Sequence, residues 1–331
     1  MALDSRILGF AMDRLEADKR KREQEQQRLR EYIYRRDSGI AALDRELQTT
    51  AALAIANALS NGGDPVAAVE RIGKENLFIQ AQRTARLTAM GYDAKCLDDI
   101  PACPFCSDSG YVGTSPCSCL MRYYKEEQRK ELSKLLDLSG ERFESFRLNY
   151  YDDVRDPETG ISPRLHMQMV MKACRQYAET FHADGQNLFL SGAPGLGKTF
   201  LSACIASSVS ESGWSVVYDT AVTICSRYEE GRFGRRGNPE EAEADIRRYL
   251  SCDLLIIDDL GAEMNTAFSV STIYEVINSR LRSRNSTVIS SNLAPSDLAK
   301  RYNVQIASRL NGEYECLRFY GKDIRKLKHE E

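Results

Sequence analysis

One short segment limits the folds open to this chain more than any other feature of its sequence. An apolar run, Asn187–Ser191, leads directly into Gly192-Ala193-Pro194-Gly195-Leu196-Gly197-Lys198-Thr199, and a helix is predicted to begin near Phe200. This strand–loop–helix order is the context of a phosphate-binding loop. Glycines let the backbone wrap closely around phosphate oxygens, and the free N–H groups at the helix start favour negative charge. The segment therefore predicts an ATP site, in which Lys198 contacts the β- and γ-phosphates and Thr199 ligates Mg²⁺.

A second part of the site is predicted where a later buried strand ends. Leu254–Ile257 supplies four apolar residues, which are typical of a central parallel strand, and Asp258 and Asp259 follow directly. The carboxyl ends of such strands form the ligand-binding edge of open α/β sheets. We therefore assign Asp258 to the Mg²⁺ shell and Asp259 to polarising the attacking water. Asn292 ends the next strand and is predicted to position water near the γ-phosphate.

Short apolar strands alternate with helical segments from Asn187 onward. We predict strands at 187–191, 214–218, 254–257 and 287–290. That alternation indicates an α/β fold with a parallel sheet and crossover helices. The preceding sequence divides into a helical region, residues 1–95, and a Cys-bearing segment, residues 96–125. Residues 126–331 then form the ATPase domain with an N-terminal linker.

The first 95 residues are helical in pattern. Leu29, Ile33, Ile40, Leu43 and Leu47 follow one another at helical spacings and form one apolar seam, which Arg36 interrupts. The seam is about three heptads long, which is marginal for an autonomous coiled coil. Two interpretations stay open: a helical hairpin or bundle within the chain, which is favoured, and a surface offered to a partner helix.

Four of the ten cysteines cluster. Cys103-Pro104-Phe105-Cys106 is followed after ten residues by Cys117-Ser118-Cys119. Four thiolates in two close pairs can enclose one Zn²⁺ tetrahedrally, and the metal would stabilise a segment too short to form much of a core. We therefore predict that Cys103, Cys106, Cys117 and Cys119 hold a structural Zn²⁺. A redox dithiol is the alternative.

Charge and hydropathy exclude several classes of protein. Lys plus Arg is 45 and Asp plus Glu is 48, so the net charge of −3 excludes a globally basic nucleic-acid coat protein, although not a local basic surface. The chain has no apolar run long enough for a transmembrane helix, and its N-terminus lacks the apolar core of a signal peptide. We expect a cytoplasmic protein with no membrane partner.

Taken in order, the motifs resemble those of a known family. The loop GAPGLGKT, the strands LLIIDDLGAE and TVISSNLAP, the segment IASRL and the tail GKDIR are similar to those of AAA+ ATPases. More narrowly, they resemble the DnaC/DnaI-type replicative helicase loaders. Arg142–Phe146 with Tyr150 and Tyr151 resembles the linker of these proteins, and the Cys-bearing segment is similar to that of the DnaI-like branch.

The resemblance implies roles for two arginines. Arg309, in the segment IASRL, matches the arginine finger that such ATPases offer to the nucleotide of a neighbouring subunit. Arg325, in the tail GKDIR, matches the sensor arginine that contacts phosphate in its own subunit. A finger acting in trans implies a homo-oligomer on ATP binding. Many AAA+ proteins have Asp-Glu where this chain has Asp258-Asp259, so we expect slow hydrolysis, stimulated by oligomerisation or single-stranded DNA.

The resemblance also implies partners. A loader binds a hexameric replicative helicase, here through the N-terminal helices, and delivers it to single-stranded DNA. Candidate DNA contacts lie between the second and third predicted strands, where cations interleave with aromatic rings: Arg227, Arg232, Arg235 and Arg236 around Tyr228 and Phe233. A solvated, mobile loop is an equal alternative for this segment.

Two other functions stay open. An IstB-type transposition helper ATPase shares the same core, although the Cys-bearing segment and the long helical N-terminus argue against it. A nucleotide-binding adaptor without physiological turnover is the third possibility, in which bound ATP only fixes a conformation.

Overall fold

The computed structural model describes residues 3–60, 65–136, 142–155, 157, 160–234 and 238–327. The chain folds into two compact units, of which one comprises residues 13–119 and the other residues 1–12 with 120–331. The predicted domain boundaries near residues 95 and 125 stay a prediction. Within the described ranges, no helix is long and apolar enough to cross a membrane.

Three long helices build most of the unit 13–119. They are α1 (Ser5–Arg36), which enters it from residue 13, α2 (Ser38–Ser60) and α3 (Pro65–Ala89). Ile33 of α1, Ile40 of α2 and Leu87 of α3 are buried in one cluster with Leu97. Three of the five seam residues, Leu29, Ile33 and Ile40, thus pack inside the chain, as the interpretation as an intramolecular bundle predicts. A short hairpin follows, β1 (Tyr111–Val112) with β2 (Ser115–Pro116).

A five-stranded parallel sheet forms the centre of the other unit. Its strands are β3 (Leu188–Gly192), β4 (Val216–Thr220), β5 (Leu254–Leu260), β6 (Ser286–Ser291) and β7 (Glu315–Phe319), in the order β4-β5-β6-β3-β7. The predicted α/β fold class is confirmed. The fifth strand, β7, escaped prediction because only Phe319 of its five residues is buried, so it has no apolar run.

Helices cover both faces of this sheet. The helices are α4 (Ser118–Leu136), α5 (Pro163–Glu179), α6 (Lys198–Glu211), α7 (Ala221–Phe233), α8 (Pro239–Ser251), α9 (Ala267–Arg282), α10 (Leu298–Arg301), α11 (Val304–Glu313) and α12 (Ile324–Leu327). Successive side chains of β3 alternate between two cores: Leu188 and Leu190 pack with α5 and α6, and Phe189 packs with α7, α9 and α11. This alternation explains why each central strand is a continuous apolar run.

The first residues of the chain belong to the sheet-containing unit. Asp4 caps α1 by accepting hydrogen bonds from the N–H groups of Arg6 and Ile7, at 2.9 and 3.3 Å. Its carboxylate also pairs with Arg248 of α8, and its N–H donates to the Tyr124 hydroxyl at 2.9 Å. Residues 3–7 are therefore tied to α4 and α8 by buried polar contacts.

Candidate functional site

The phosphate-binding loop lies where β3 meets α6. Gly195 and Gly197 have φ of +78° and +87°, a region that favours glycine. A Cβ on Gly195 would overlap the carboxylate of Asp323, and a Cβ on Gly197 would lie 3.1 Å from the Phe146 ring. The loop therefore needs glycine both for its backbone conformation and for the close approach of its neighbours.

Lys198 is the first residue of α6 and is buried. Its Nζ donates hydrogen bonds to the carbonyls of Gly192 and Ala193 and to Oδ1 of Asn292, each at 2.8 Å. Burial lowers the pKa of Lys198, and the nearby Asp259 and Asp258 carboxylates oppose that shift. The structure thus places Asn292 beside Lys198, and both residues were predicted to belong to the ATP site.

Asp258 is a buried carboxylate with several donors. It accepts hydrogen bonds from the Tyr218 hydroxyl at 2.8 Å, from the Thr199 hydroxyl at 3.4 Å and from the Ser290 hydroxyl. The hydroxyl of Thr199 and the carboxylate of Asp258 are oxygen ligands of the kind that Mg²⁺ prefers. These two residues, predicted from separate motifs, lie together and fit a shared Mg²⁺ site.

Asp259 lies in a β-bulge. Ile257 pairs with Ile289 and Leu260 pairs with Ser291, so β5 has one residue more than β6 between these two pairs. Asp259 takes the left-handed conformation, φ +52°, and its N–H donates to the Ser290 hydroxyl at 3.0 Å. Burial raises the pKa of Asp259, and the adjacent Asp258 adds to that shift. The bulge turns two consecutive carboxylates toward the same edge of the sheet.

A cavity of about 570 Å³ unites most of the predicted site. Its lining includes Lys198, Thr199, Asp259, Asn292 and Arg325. Arg325 therefore lies in the cavity of its own chain, as the role of a cis sensor requires. The structure places these side chains together, and their individual roles in catalysis stay proposals.

The linker before α5 forms one wall of this cavity, which sequence reasoning did not foresee. Phe146 and Tyr150 line it together with Phe200 and Ile324. The Tyr151 hydroxyl donates to the Leu196 carbonyl at 2.8 Å and so joins the linker to the phosphate-binding loop. The aromatic residues of this connector were a signal that could have predicted the wall, because aromatic rings beside a phosphate site are suited to contact a nucleotide base.

Arg309 lies apart from this cavity. Its guanidinium is held against α9, where Nη2 donates to the Tyr274 hydroxyl at 3.1 Å and Nε donates to Asn278 Oδ1 at 3.2 Å. It also lies 4.8 Å from the centroid of the Tyr274 ring. Arg309 is absent from the lining of its own chain's cavity, which is compatible with an action on a neighbouring subunit.

The candidate DNA contacts lie in different surroundings. Arg227 and Tyr228 lie in the helix α7. Arg227 is partly exposed and pairs with Glu230 at 2.9 Å and with Asp245 at 3.2 Å, whereas Tyr228 is buried. Arg232 and Phe233 are exposed at the end of α7, and Arg235 and Arg236 lie outside the described residues.

The four predicted zinc ligands also come together. Cys103 Sγ lies 3.6 Å from Cys117 Sγ, Cys106 Sγ lies 3.4 Å from Cys119 Sγ, and all four sulfurs lie within 4.8 Å of one another. Tetrahedral Zn²⁺ with Zn–S bonds of about 2.3 Å requires sulfurs about 3.8 Å apart. The cluster therefore fits a structural Zn²⁺, while the sulfur separations are too long for disulfide bonds.

Local contacts hold the cysteines in this arrangement. The Asp108 carboxylate accepts hydrogen bonds from the N–H groups of Ala102 and Cys103, at 3.0 and 2.8 Å, and pairs with Arg22 at 2.9 Å. A backbone hydrogen bond involving Cys119 lowers the pKa of Cys117 to about 7, which favours the thiolate that a metal requires.

The part of the chain that forms most of the cavity is similar to known ATP-binding proteins. The family described as "IstB-like ATP binding protein" matches residues 165–303, which include the phosphate-binding loop, Asp258, Asp259 and Asn292 but not Arg309. The "Replicative helicase loader DnaC" of Buchnera aphidicola (strain APS) is 26% identical over 186 residues, which cover 56% of this chain and 72% of that protein.

Other relatives match over shorter spans. The "Replicative helicase loader DnaC" of Escherichia coli (strain K12) is 28% identical, covering 44% of this chain and 57% of that protein. A "Putative insertion sequence ATP-binding protein" of Sinorhizobium fredii is 32% identical, covering 34% and 36%. A crystal structure of the DnaC helicase loader has 18% identity and a TM-score of 0.46, covering 56% of this chain and 99% of that one. The chain thus spans little more than half of the E. coli protein and about a third of the insertion-sequence protein.

Proposed function

We propose that this chain, which carries an AAA+ ATP-binding domain of the DnaC type, is an ATP-dependent loader of a replicative DNA helicase. The observation that carries the proposal is the convergence of Lys198, Thr199, Asp259, Asn292 and Arg325 on one cavity. The helicase is proposed as the partner because the DnaC relatives are known as replicative helicase loaders.

The cavity offers complementary surfaces to the parts of ATP. Backbone N–H groups of the phosphate-binding loop and the Lys198 ammonium would hold the phosphates, since both supply positive charge at the start of α6. Phe146 and Phe200, with ring centroids 5.7 Å apart, and Ile324 would flank the base. Thr199 and Asp258 would hold Mg²⁺, which neutralises charge on the phosphates when bound.

Hydrolysis would depend on the polar residues at the sheet edge. The raised pKa of Asp259 makes its carboxylate a better acceptor for the proton of an attacking water. Asn292 would orient that water, and Arg325 would contact the phosphates from the same chain. Arg309 of a neighbouring copy would complete the site, so hydrolysis would be slow in the monomer and faster in an oligomer assembled with single-stranded DNA.

Helicase binding is assigned to the helices of residues 13–89 in the other unit. A Zn²⁺ held by the four cysteines would fix the segment that follows those helices, with no open position for catalysis. In this proposal the ATPase unit senses nucleotide and single-stranded DNA, and the helical unit holds the helicase until delivery.

The proposal is tested on the full chain in three measurements. We expect calorimetric binding of ATP with Mg²⁺, hydrolysis stimulated by single-stranded DNA, and co-purification with a hexameric replicative helicase. Lys198→Ala should abolish binding and hydrolysis, whereas Lys172→Ala, which removes an exposed charge from α5, should change neither. The absence of any heat of binding at millimolar ATP would refute the proposal.

A transposition helper ATPase is the second candidate, because the matched family and one relative are named for insertion-sequence proteins. The two candidates share the ATP site and differ in the partner. Recovery of a transposase instead of a helicase by the tagged full chain would favour the helper function. ATP binding without turnover, even with DNA and helicase present, would favour the adaptor.

A further inference from the structure

A buried carboxylate lies shortly after the catalytic acids and takes no part in the site described above. Glu263 is 4% exposed. Its Oε2 accepts a hydrogen bond from the N–H of Gly261 at 2.9 Å, and its Oε1 accepts from the Tyr302 hydroxyl at 2.6 Å. Arg301 Nη2 pairs with Oε1 at 3.2 Å. A buried charge is tolerated when it is paired in this way, so the three partners hold Glu263 in one place.

Arg301 and Tyr302 lie at the end of α10 and clasp the loop that contains Glu263. Arg301 Nη2 also donates to the carbonyls of Gly261, at 3.3 Å, and of Glu263. Burial and the Glu263 carboxylate raise the pKa of Tyr302, so its hydroxyl keeps the proton that it donates. The loop after β5 is thereby fixed to the end of α10 through both backbone and side-chain groups.

The contacts of Glu263 with Arg301 and Tyr302, called the clasp here, connect on one side to the nucleotide-binding edge of the sheet. The loop directly follows Asp258 and Asp259, and the carbonyl of Leu260 accepts a hydrogen bond from the Ser291 hydroxyl at 2.6 Å. Ser291 is the last residue of β6, and Asn292 directly follows it. Any displacement of the loop would therefore shift Asp258 and Asp259, and also the end of β6, next to which Asn292 lies.

On its other side the clasp leads into α11. Tyr302 is followed by Asn303, which caps α11 by accepting a hydrogen bond from the N–H of Ile306 at 2.8 Å. Arg309 lies on this helix. Tyr302 is the C-cap of α10 and lies two residues before α11 begins at Val304. Its contact with Glu263 therefore fixes the chain directly before the helix that carries Arg309.

We infer that Glu263 is a positioning residue that couples the nucleotide-binding edge to α11, and through α11 to Arg309. The inference rests on the proposed ATPase function and deepens it, since it assigns one carboxylate to the link between a chain's own ATP site and the arginine that it offers to its neighbour. Such a link makes the position of Arg309 depend on whether nucleotide is bound.

The test uses Tyr302→Phe, which removes one hydroxyl from the clasp, beside Glu263→Gln, which removes the charge. The matched control is Tyr177→Phe, since Tyr177 is buried in the other core and its hydroxyl donates to the Gln186 carbonyl at 3.0 Å. Hydrogen–deuterium exchange is measured on the full chain with and without Mg²⁺ and a non-hydrolysable ATP analogue. The peptides that report are 192–201, at the phosphate-binding loop, and 304–313, which is α11.

We expect nucleotide to protect both peptides in the unaltered chain and in Tyr177→Phe, but only peptide 192–201 in Tyr302→Phe and Glu263→Gln. In the oligomer, kcat should fall by about tenfold in these two variants while KM stays within about twofold, which marks lost positioning and not lost binding. If Glu263→Gln fails to fold, Tyr302→Phe alone decides the result.

Two outcomes overturn the inference while leaving the proposed function intact: protection of peptide 192–201 without peptide 304–313 in the unaltered chain, or full protection of both in Tyr302→Phe. A lack of protection at peptide 192–201 in the unaltered chain instead refutes ATP binding, and with it the proposed function and the inference together.

Discussion

Replacing Ser290 by Ala should disturb both proposed catalytic acids, Asp258 and Asp259, because its hydroxyl contacts both residues. The Ser290 hydroxyl donates to the Asp258 carboxylate and accepts from the N–H of Asp259 at 3.0 Å. Asp258 keeps two other donors, Tyr218 and Thr199, whereas the Asp259 N–H loses the side-chain acceptor that it has in Ser290. The left-handed conformation of Asp259 costs about 1–2 kcal/mol and depends on that hydrogen bond.

The expected magnitude follows from these contacts. An unsatisfied buried N–H costs about 1–3 kcal/mol, and a lost hydrogen bond to a carboxylate costs about 1.5–3 kcal/mol. Water can reach the partly exposed Asp259 and reduce the cost of its N–H, while the buried Asp258 keeps two other donors, so we expect the free energy of unfolding to fall by about 2 kcal/mol. If the same amount is lost from the transition state, kcat falls about 30-fold.

The assay compares Ser290→Ala with Ser286→Ala, a buried serine at the opposite end of the same strand. Urea unfolding gives the stability, and steady-state hydrolysis at varied Mg²⁺ gives kcat and the half-saturating Mg²⁺ concentration. We expect Ser290→Ala alone to lower kcat and to need more Mg²⁺. Equal kcat and equal Mg²⁺ dependence in the two variants would refute the assigned role of the Ser290 hydroxyl.

Four further predictions follow from the site and the cysteine cluster. Gly195→Ala should abolish nucleotide binding, because alanine disfavours the φ of +78° and its Cβ would displace the Asp323 carboxylate, whereas Gly312→Ala, where nothing lies within 4 Å, should bind normally in a filter-binding assay. Arg309→Ala should reduce hydrolysis by about 10³-fold in the oligomer while ATP affinity is unchanged, and equal rates would reject a finger acting in trans. Elemental analysis should find one Zn²⁺ per chain and none in Cys106→Ser, whose melting temperature should be lower; a metal-free unaltered chain would contradict the Cys₄ site. Because burial raises the pKa of Asp259, its carboxylate is protonated as pH falls through a value above the ordinary aspartate range, so kcat should decline on the acid side at a higher pH than about 4, and a flat profile there would exclude Asp259 as the base.

The parts of the fold and site that could be predicted are those encoded by neighbouring residues. The phosphate-binding loop is recognised from eight consecutive residues, and each central strand from a short apolar run that ends in a polar residue. Lys198, Asp258 and Asn292 can therefore be predicted from sequence alone. β7 was missed because it is an edge strand of the sheet and has few buried side chains, so no local pattern distinguishes it from a loop.

What escaped prediction depends on pairing between distant segments. The bulge at Asp259 exists only through the register of β5 against β6, and the polar partners Tyr218 and Ser290 look like ordinary strand residues in the sequence. The ion pair of Arg227 escaped prediction for the same reason, since its partner Asp245 lies on another helix. Local charge patterns show that a cation is present but not whether it is already paired.

The attachment of the first residues to α4 and α8 has a practical consequence for anyone dissecting this molecule. Proteolysis inside the opening turns of α1 would strip Asp4 from Arg248 and leave that guanidinium to share Asp245 and Glu131. A shortened ATPase fragment that begins with α4 would then unfold at a lower temperature than the intact chain. Adding residues 3–12 as a separate peptide should raise the melting temperature of the fragment again, as in a split protein.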